Sequence, residues 1–240
     1  MTETTHRTGT SGSDASLGLA PRPDSLAMSV YNTIRQAIVD GKLAAASRVT
    51  EAGLAKELGV SKTPVREALL RLKEVGLVES DGPRADRIVT PSADRLRDAY
   101  EVREALEMKS ARLAAERGDR EVLLAARHEA ERTVVAADQR DFGAYRAADE
   151  AFHTTIAKAT GNTRLARLID DANAMIVALR QRDVPGIDAS PLCASQHMAI
   201  SKALLDGDGA LASRLMEEHV RSVGDNVVAY LTDPGSARRG

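Results

Sequence analysis

Asp149 and His153 stand four residues apart in YRAADEAFHTTIA, a spacing that stacks both side chains on one helix face. Tyr145, Phe152 and Ile156 share that face, so it points inward. His197 follows Cys193 by four and precedes Ile200 and Leu204, again on an apolar stripe. His219 lies four residues from both Leu215 and Val223. Three helices thus each turn one imidazole toward a shared interior, and one of them adds a carboxylate. Buried polar groups need partners, and a metal satisfies several at once. The set Asp149, His153, His197 and His219 suits one divalent metal, Zn²⁺ first, with Mn²⁺, Ni²⁺ or Fe²⁺ as alternatives. Hydrogen-bonded core histidines are the other reading of the same residues, and His128, which lacks a paired carboxylate, is read that way.

A second constellation lies in TEAGLAKELGVSKTPVREALLRLKEVGLV, residues 50–78. Thr50 can cap a short helix with Leu54, Ala55 and Leu58 on its apolar side, and Gly59 supplies the positive φ at its exit. Ser61 can cap a second helix that tolerates Pro64 in its first turn and buries Val65, Ala68, Leu69 and Leu72. Two helices joined by a Gly-containing turn make a helix-turn-helix. Stretches Leu77–Glu79 and Arg87–Thr90, around Asp81-Gly82-Pro83, read as a β-hairpin wing. The second helix presents Ser61, Lys62, Thr63 and Arg66 at its start, where a recognition helix reaches base edges and phosphates. Residues 61–73 carry four basic side chains and one acidic one, although the whole chain has a net charge of -2. Such a compact basic segment suits contact with a polyanion.

The elements that must position these residues follow from apolar periodicity. Helices are expected over 25–40, then over 92–117, 120–137, 142–159, 163–182, 190–206 and 209–230, with short breaks that imply antiparallel neighbours. The expected fold is mainly α: an N-terminal winged helix-turn-helix with a small β-hairpin wing over 25–91, followed by an antiparallel helical bundle over 92–232. Residues 1–24, rich in Thr, Ser, Gly and Pro, read as a disordered tail, and 233–240 as a frayed one. Six aromatics in 240 residues disfavour single-stranded nucleic acid as the target, because such readers stack bases on aromatic platforms. One cysteine excludes a disulfide within the chain and is compatible with a reducing compartment. No apolar run is long enough for a membrane span, and no signal-peptide core is present. A cytoplasmic protein with no membrane partner is expected.

The stretch IVDGKLAAASRVTEAGLAKELGVSKTPVREALLRLKEVGLVES resembles the DNA-binding domain of GntR-family bacterial regulators, with the family pattern appearing as Gly59-Val60-Ser61-Lys62-Thr63-Pro64-Val65-Arg66-Glu67-Ala68-Leu69. That resemblance assigns DNA contacts to Ser61, Lys62, Thr63 and Arg66. Lys62 stands where Arg is usual, Ala52 where some members place a phosphate-binding Arg, and Ala85 where the wing-tip Gly is usual, with Arg84 beside it as an electrostatic substitute. Residues 94–230 resemble the FCD ligand-binding domain of the FadR subgroup. Asp149, His153, His197 and His219 fall at that domain's metal positions, where the metal of many members helps hold a small carboxylate. The opening YEVREALE also matches and turns Arg103 inward, toward an effector anion or an internal carboxylate. These resemblances imply a metabolite-responsive DNA-binding transcriptional regulator. It would be a repressor released by a small carboxylate, and a homodimer on double-stranded DNA with a pseudo-palindromic operator. The alternative is a helical metallohydrolase using the same His/Asp site to activate water.

Overall fold

The computed structural model describes residues 26–90, 92–183 and 190–232. The expected tails at 1–24 and 233–240 lie outside the described residues. Helix α1 (Leu26–Val39) leads into the two-residue strand β1 (Arg48–Val49), then α2 (Glu51–Leu58) and α3 (Lys62–Glu74). Strands β2 (Val78–Ser80) and β3 (Asp86–Ile88) follow. Thr50 caps α2 as expected, its Oγ1 accepting from Gly53 N at 3.0 Å, and Gly59 leaves the helix at φ 67°. Ser61 occupies the N-cap position of α3 in extended backbone, yet its hydroxyl makes no capping bond. The reason is local. The cap's usual donor is the N–H of the third helical residue, which here is Pro64 and has none.

The wing is larger than a hairpin. β1 pairs antiparallel with β3, Arg48 opposite Arg87, giving a three-stranded sheet in the order β1-β3-β2. Ala85 is buried inside the wing, its carbonyl accepting from Asp81 N at 2.9 Å, and the left-handed turn residue is Gly82 at φ 91°. The sheet and the first three helices close over a core of Ile34, Val65, Leu69, Leu72, Leu77 and Ile88.

The remaining helices are α4 (Ala93–Arg117), α5 (Arg120–Gln139), α6 (Phe142–Ala159), α7 (Thr163–Asp183), α8 (Pro191–Leu205) and α9 (Gly209–Thr232). Side chains of Ser92, Asp119, Asp141 and Ser190 cap α4, α5, α6 and α8 and fix where each begins. Buried alanines (Ala111, Ala114, Ala126, Ala130) line the helix faces and allow close approach around Phe152, Ile156, Ile200, Leu204 and Val220. α4 and α9 pack along their length, and at one crossing Gly224 sits under the Tyr100 ring, where an added Cβ would meet Cγ at 2.9 Å. Two features tie the N-terminal half to the bundle. Met175 of α7 packs against both cores, and Arg95 of α4 pairs with Glu79 of β2 at 3.0 Å.

Candidate functional site

Helices α6, α8 and α9 bring Asp149, His153, His197 and His219 together, so that one ligand atom from each lies within 4.8 Å of the others. The three imidazoles are buried and Asp149 is half-buried. His197 Nε2 is 3.1 Å from His219 Nε2 and 3.4 Å from an Asp149 oxygen. His153 Nε2 is 3.7 Å from that oxygen and, although buried, has no hydrogen-bond partner among the described residues. Each ring is held from behind through its Nδ1: His153 by Glu107, His197 by Thr133 Oγ1 at 3.1 Å, and His219 by Gln196 Oε1 at 3.0 Å. Outer partners of this kind fix ring orientation and leave the other nitrogen for a metal. Three imidazoles and a carboxylate, with one Nε2 orphaned in the interior, fit a divalent cation better than a closed hydrogen-bond network, which would leave no such atom. Cys193, also buried, stays outside this cluster.

The electrostatics follow from burial. Burial pushes the His197 imidazole down to about 3, with Asp149 opposing it, so the ring is neutral and can donate a lone pair. For Glu107 burial acts upward, but Arg103 and His153 outweigh it and hold the carboxyl at about 2. Arg103 Nε donates to Glu107 Oε1 at 2.6 Å, and both side chains are buried. Glu107 is thus the internal carboxylate that partners Arg103. Even so, the Nη1 and Nη2 groups of Arg103 have no hydrogen-bond partner among the described residues, and its charge is felt by Asp149. Sequence reasoning did not single out Glu107, Thr133 or Gln196 as supports. Of these, Glu107 carried a signal, its i+4 spacing from Arg103.

At the other end, Ser61, Lys62 and Thr63 are exposed at the start of α3, and Arg66 is exposed one turn further on. Arg84 is exposed in the wing turn. Lys62, Arg66 and Arg84 line one cleft of about 520 Å³ between α3 and the wing. The two carboxylates in that cleft are already paired. Glu51 holds Arg66, and Asp86 holds Lys73 at 2.7 Å. Lys62 and Arg84 have no ion pair among the described residues, and the cleft presents net positive charge.

Two family descriptions match the chain: "Bacterial regulatory proteins, gntR family" over residues 26–85 and "FCD domain" over 98–222. A Paenarthrobacter nicotinovorans protein named "Probable D-xylose utilization operon transcriptional repressor" is 32% identical over 82% of this chain and 86% of its own length. "HTH-type transcriptional repressor RspR" of Escherichia coli (strain K12) is 23% identical over 82% of this chain and 87% of its own. The solved structure of E. coli McbR/YncC covers 85% of this chain and 98% of its own, with a TM-score of 0.69 at 21% identity, a likeness of fold.

Proposed function

Because this chain belongs to the GntR family of bacterial regulatory proteins and carries an FCD domain, we propose that it is a repressor released from its operator by a small carboxylate held at a metal site. The family and its relatives are transcriptional regulators rather than enzymes, and the metallohydrolase alternative has no support. Residues 25–91 form the DNA-binding domain and 92–232 the effector-binding and dimerisation domain. Ser61, Lys62, Thr63 and Arg66 enter the major groove with α3, Ser61 offering phosphate a hydroxyl that no cap bond engages. Arg84 adds charge from the wing. The protein works in the cytoplasm as a homodimer on a pseudo-palindromic operator.

The observation that carries the reading is His153 Nε2, without a hydrogen-bond partner among the described residues and facing Asp149 and two further imidazoles, beside the buried Arg103. Asp149, His153, His197 and His219 would hold Zn²⁺ or a similar divalent ion, which supplies positive charge and open coordination positions for a carboxylate oxygen. Arg103 binds the same carboxylate through its Nη1/Nη2 edge, because a buried guanidinium favours an anion beside it. Glu107, Thr133 and Gln196 keep the rings in place. α4 then links effector to operator: it carries Arg103 in its middle and meets the wing through Arg95–Glu79. A ligand that favours one position of α4 biases the wing, and operator affinity changes by linkage.

Operator release tests this. Chelated protein reloaded with Zn²⁺, Mn²⁺ or Ni²⁺ is bound to a fluorescent duplex selected from a random pool, and a panel of small mono- and dicarboxylates is titrated in. Release by at least one of them, lost in Arg103→Gln, is expected. No release by any member, or equal release in the variant, contradicts the effector reading.

A further inference from the structure

Glu51 occupies an awkward place for a carboxylate. It is the first residue of α2 and lines the cleft between α3 and the wing, on the side of the molecule that the reading above turns toward DNA phosphates. An uncompensated acid there would repel the duplex. The structure gives it a specific partner. Arg66 Nε donates to Glu51 Oε1 at 2.9 Å and Arg66 Nη2 donates to Glu51 Oε2 at 2.9 Å, a two-pronged pair across the turn of the helix-turn-helix. Hydrogen bonds from Arg66 hold the Glu51 carboxyl below its ordinary range, so the pair persists at neutral pH.

A guanidinium has two edges that can grip two acceptors at once, the Nε/Nη2 edge and the Nη1/Nη2 edge. Glu51 takes the first. The second carries the Nη1 hydrogens and the remaining Nη2 hydrogen, and none of them has a partner among the described residues. Guanine offers O6 and N7 in the major groove at the spacing that such an edge matches. An exposed arginine normally samples many rotamers, and fixing it on binding costs entropy; a carboxylate that fixes it beforehand removes part of that cost.

We propose that Glu51 positions Arg66 as a guanine reader, holding its Nε/Nη2 edge and leaving the Nη1/Nη2 edge for O6 and N7 of an operator guanine. This rests on α3 entering the major groove. Glu51 then acts in sequence discrimination without touching DNA. Its effect has the opposite sign from that of a carboxylate acting by charge alone, whose removal would tighten binding to every duplex.

The experiment uses the full chain, a duplex selected by it from a random pool, and an unrelated duplex of the same length, with affinities read by fluorescence anisotropy. Each guanine of the selected site is replaced in turn by 7-deazaguanine, which lacks the N7 acceptor. In the parent, one such replacement per half-site is expected to weaken binding by about 5- to 150-fold, the range for one good two-pronged base contact. Glu51→Ala is expected to weaken the selected duplex by at least about fivefold within that range, to leave the unrelated duplex unchanged or slightly tighter, and to show no further loss at that 7-deazaguanine. Arg66→Lys, which keeps the charge but not the edge, should lose the same guanine. If Glu51→Ala tightens both duplexes or leaves both unchanged while Arg66→Ala weakens the selected one, Glu51 has no positioning role and the groove reading stands. If Arg66→Ala itself leaves the selected duplex unaffected, the groove reading fails with it.

Discussion

Replacing Glu107 should damage the bundle more than any exposed acidic substitution, because two buried groups depend on it. Its Oε1 accepts from Arg103 Nε at 2.6 Å, and its Oε2 meets His153 Nδ1. Glu107→Ala strands the guanidinium in the interior, and removing one partner of a buried pair costs about 3–5 kcal/mol. Domains of this size are stable by about 5–15 kcal/mol, so the alanine variant sits near the limit of folding. Glu107→Gln is the more informative change. It keeps an acceptor for Arg103 but loses the charge-assisted bonds, and it should cost about 1.5–3 kcal/mol. Urea denaturation of chelated protein at pH 7 measures both, and Arg103→Met combined with Glu107→Leu should recover much of the loss, as apolar replacement of a whole buried pair often does. The pH dependence has a definite sign. Glu107 is held at about 2 against an ordinary 4.5, so its contribution is complete above about 4.5 and disappears as pH falls toward about 2. The Gln variant lacks that acid-dependent component. A urea midpoint for Glu107→Ala equal to the parent's would refute the reasoning.

Three further outcomes follow from the geometry. Gly224→Ala places a Cβ 2.9 Å from the Tyr100 ring between α4 and α9; overpacking of this kind costs about 1–3 kcal/mol and lowers the calorimetric melting temperature. Burial holds His197 neutral, down to about 3 from 6.5, so its contribution to stability is complete above about pH 6.5 and falls by about 1.4 kcal/mol per pH unit below that. Urea midpoints at pH 7, 6 and 5 in chelator should show this slope in the parent and a flatter one in His197→Phe. Lys62→Ala should weaken binding to selected and unrelated duplexes alike, and reduce the slope of log affinity against log salt by about 0.9 for each of the dimer's two Lys62 contacts, measured by anisotropy at four salt concentrations.

Much of this architecture was legible because it rests on local signals. Thr50 and Gly59 mark the two ends of α2, and the i, i+4 spacing of Asp149 and His153 fixes their shared face whatever packs against it. What escaped the sequence depends on distance along the chain. Glu107 supports His153 across 46 residues and Thr133 supports His197 across 64, and no periodicity links either pair. Glu51 and Arg66 meet across 15 residues only because the Gly59 turn folds α2 against α3. β1 has two residues, too few to show alternation, so the sequence pattern alone reads as a hairpin. The Ser61 cap failed for a local reason that was readable: Pro64 stands three positions on and has no N–H to offer.

Calorimetric titration of Zn²⁺ into chelated full-length protein tests the central claim most directly, with the His153→Ala/His197→Ala double variant as control. The expected result is one ion per chain, weaker binding as pH falls because protonated imidazoles cannot ligate, and no saturable binding in the double variant. No saturable binding in the parent, or the same isotherm in parent and variant, would contradict a metal centre built from Asp149, His153, His197 and His219.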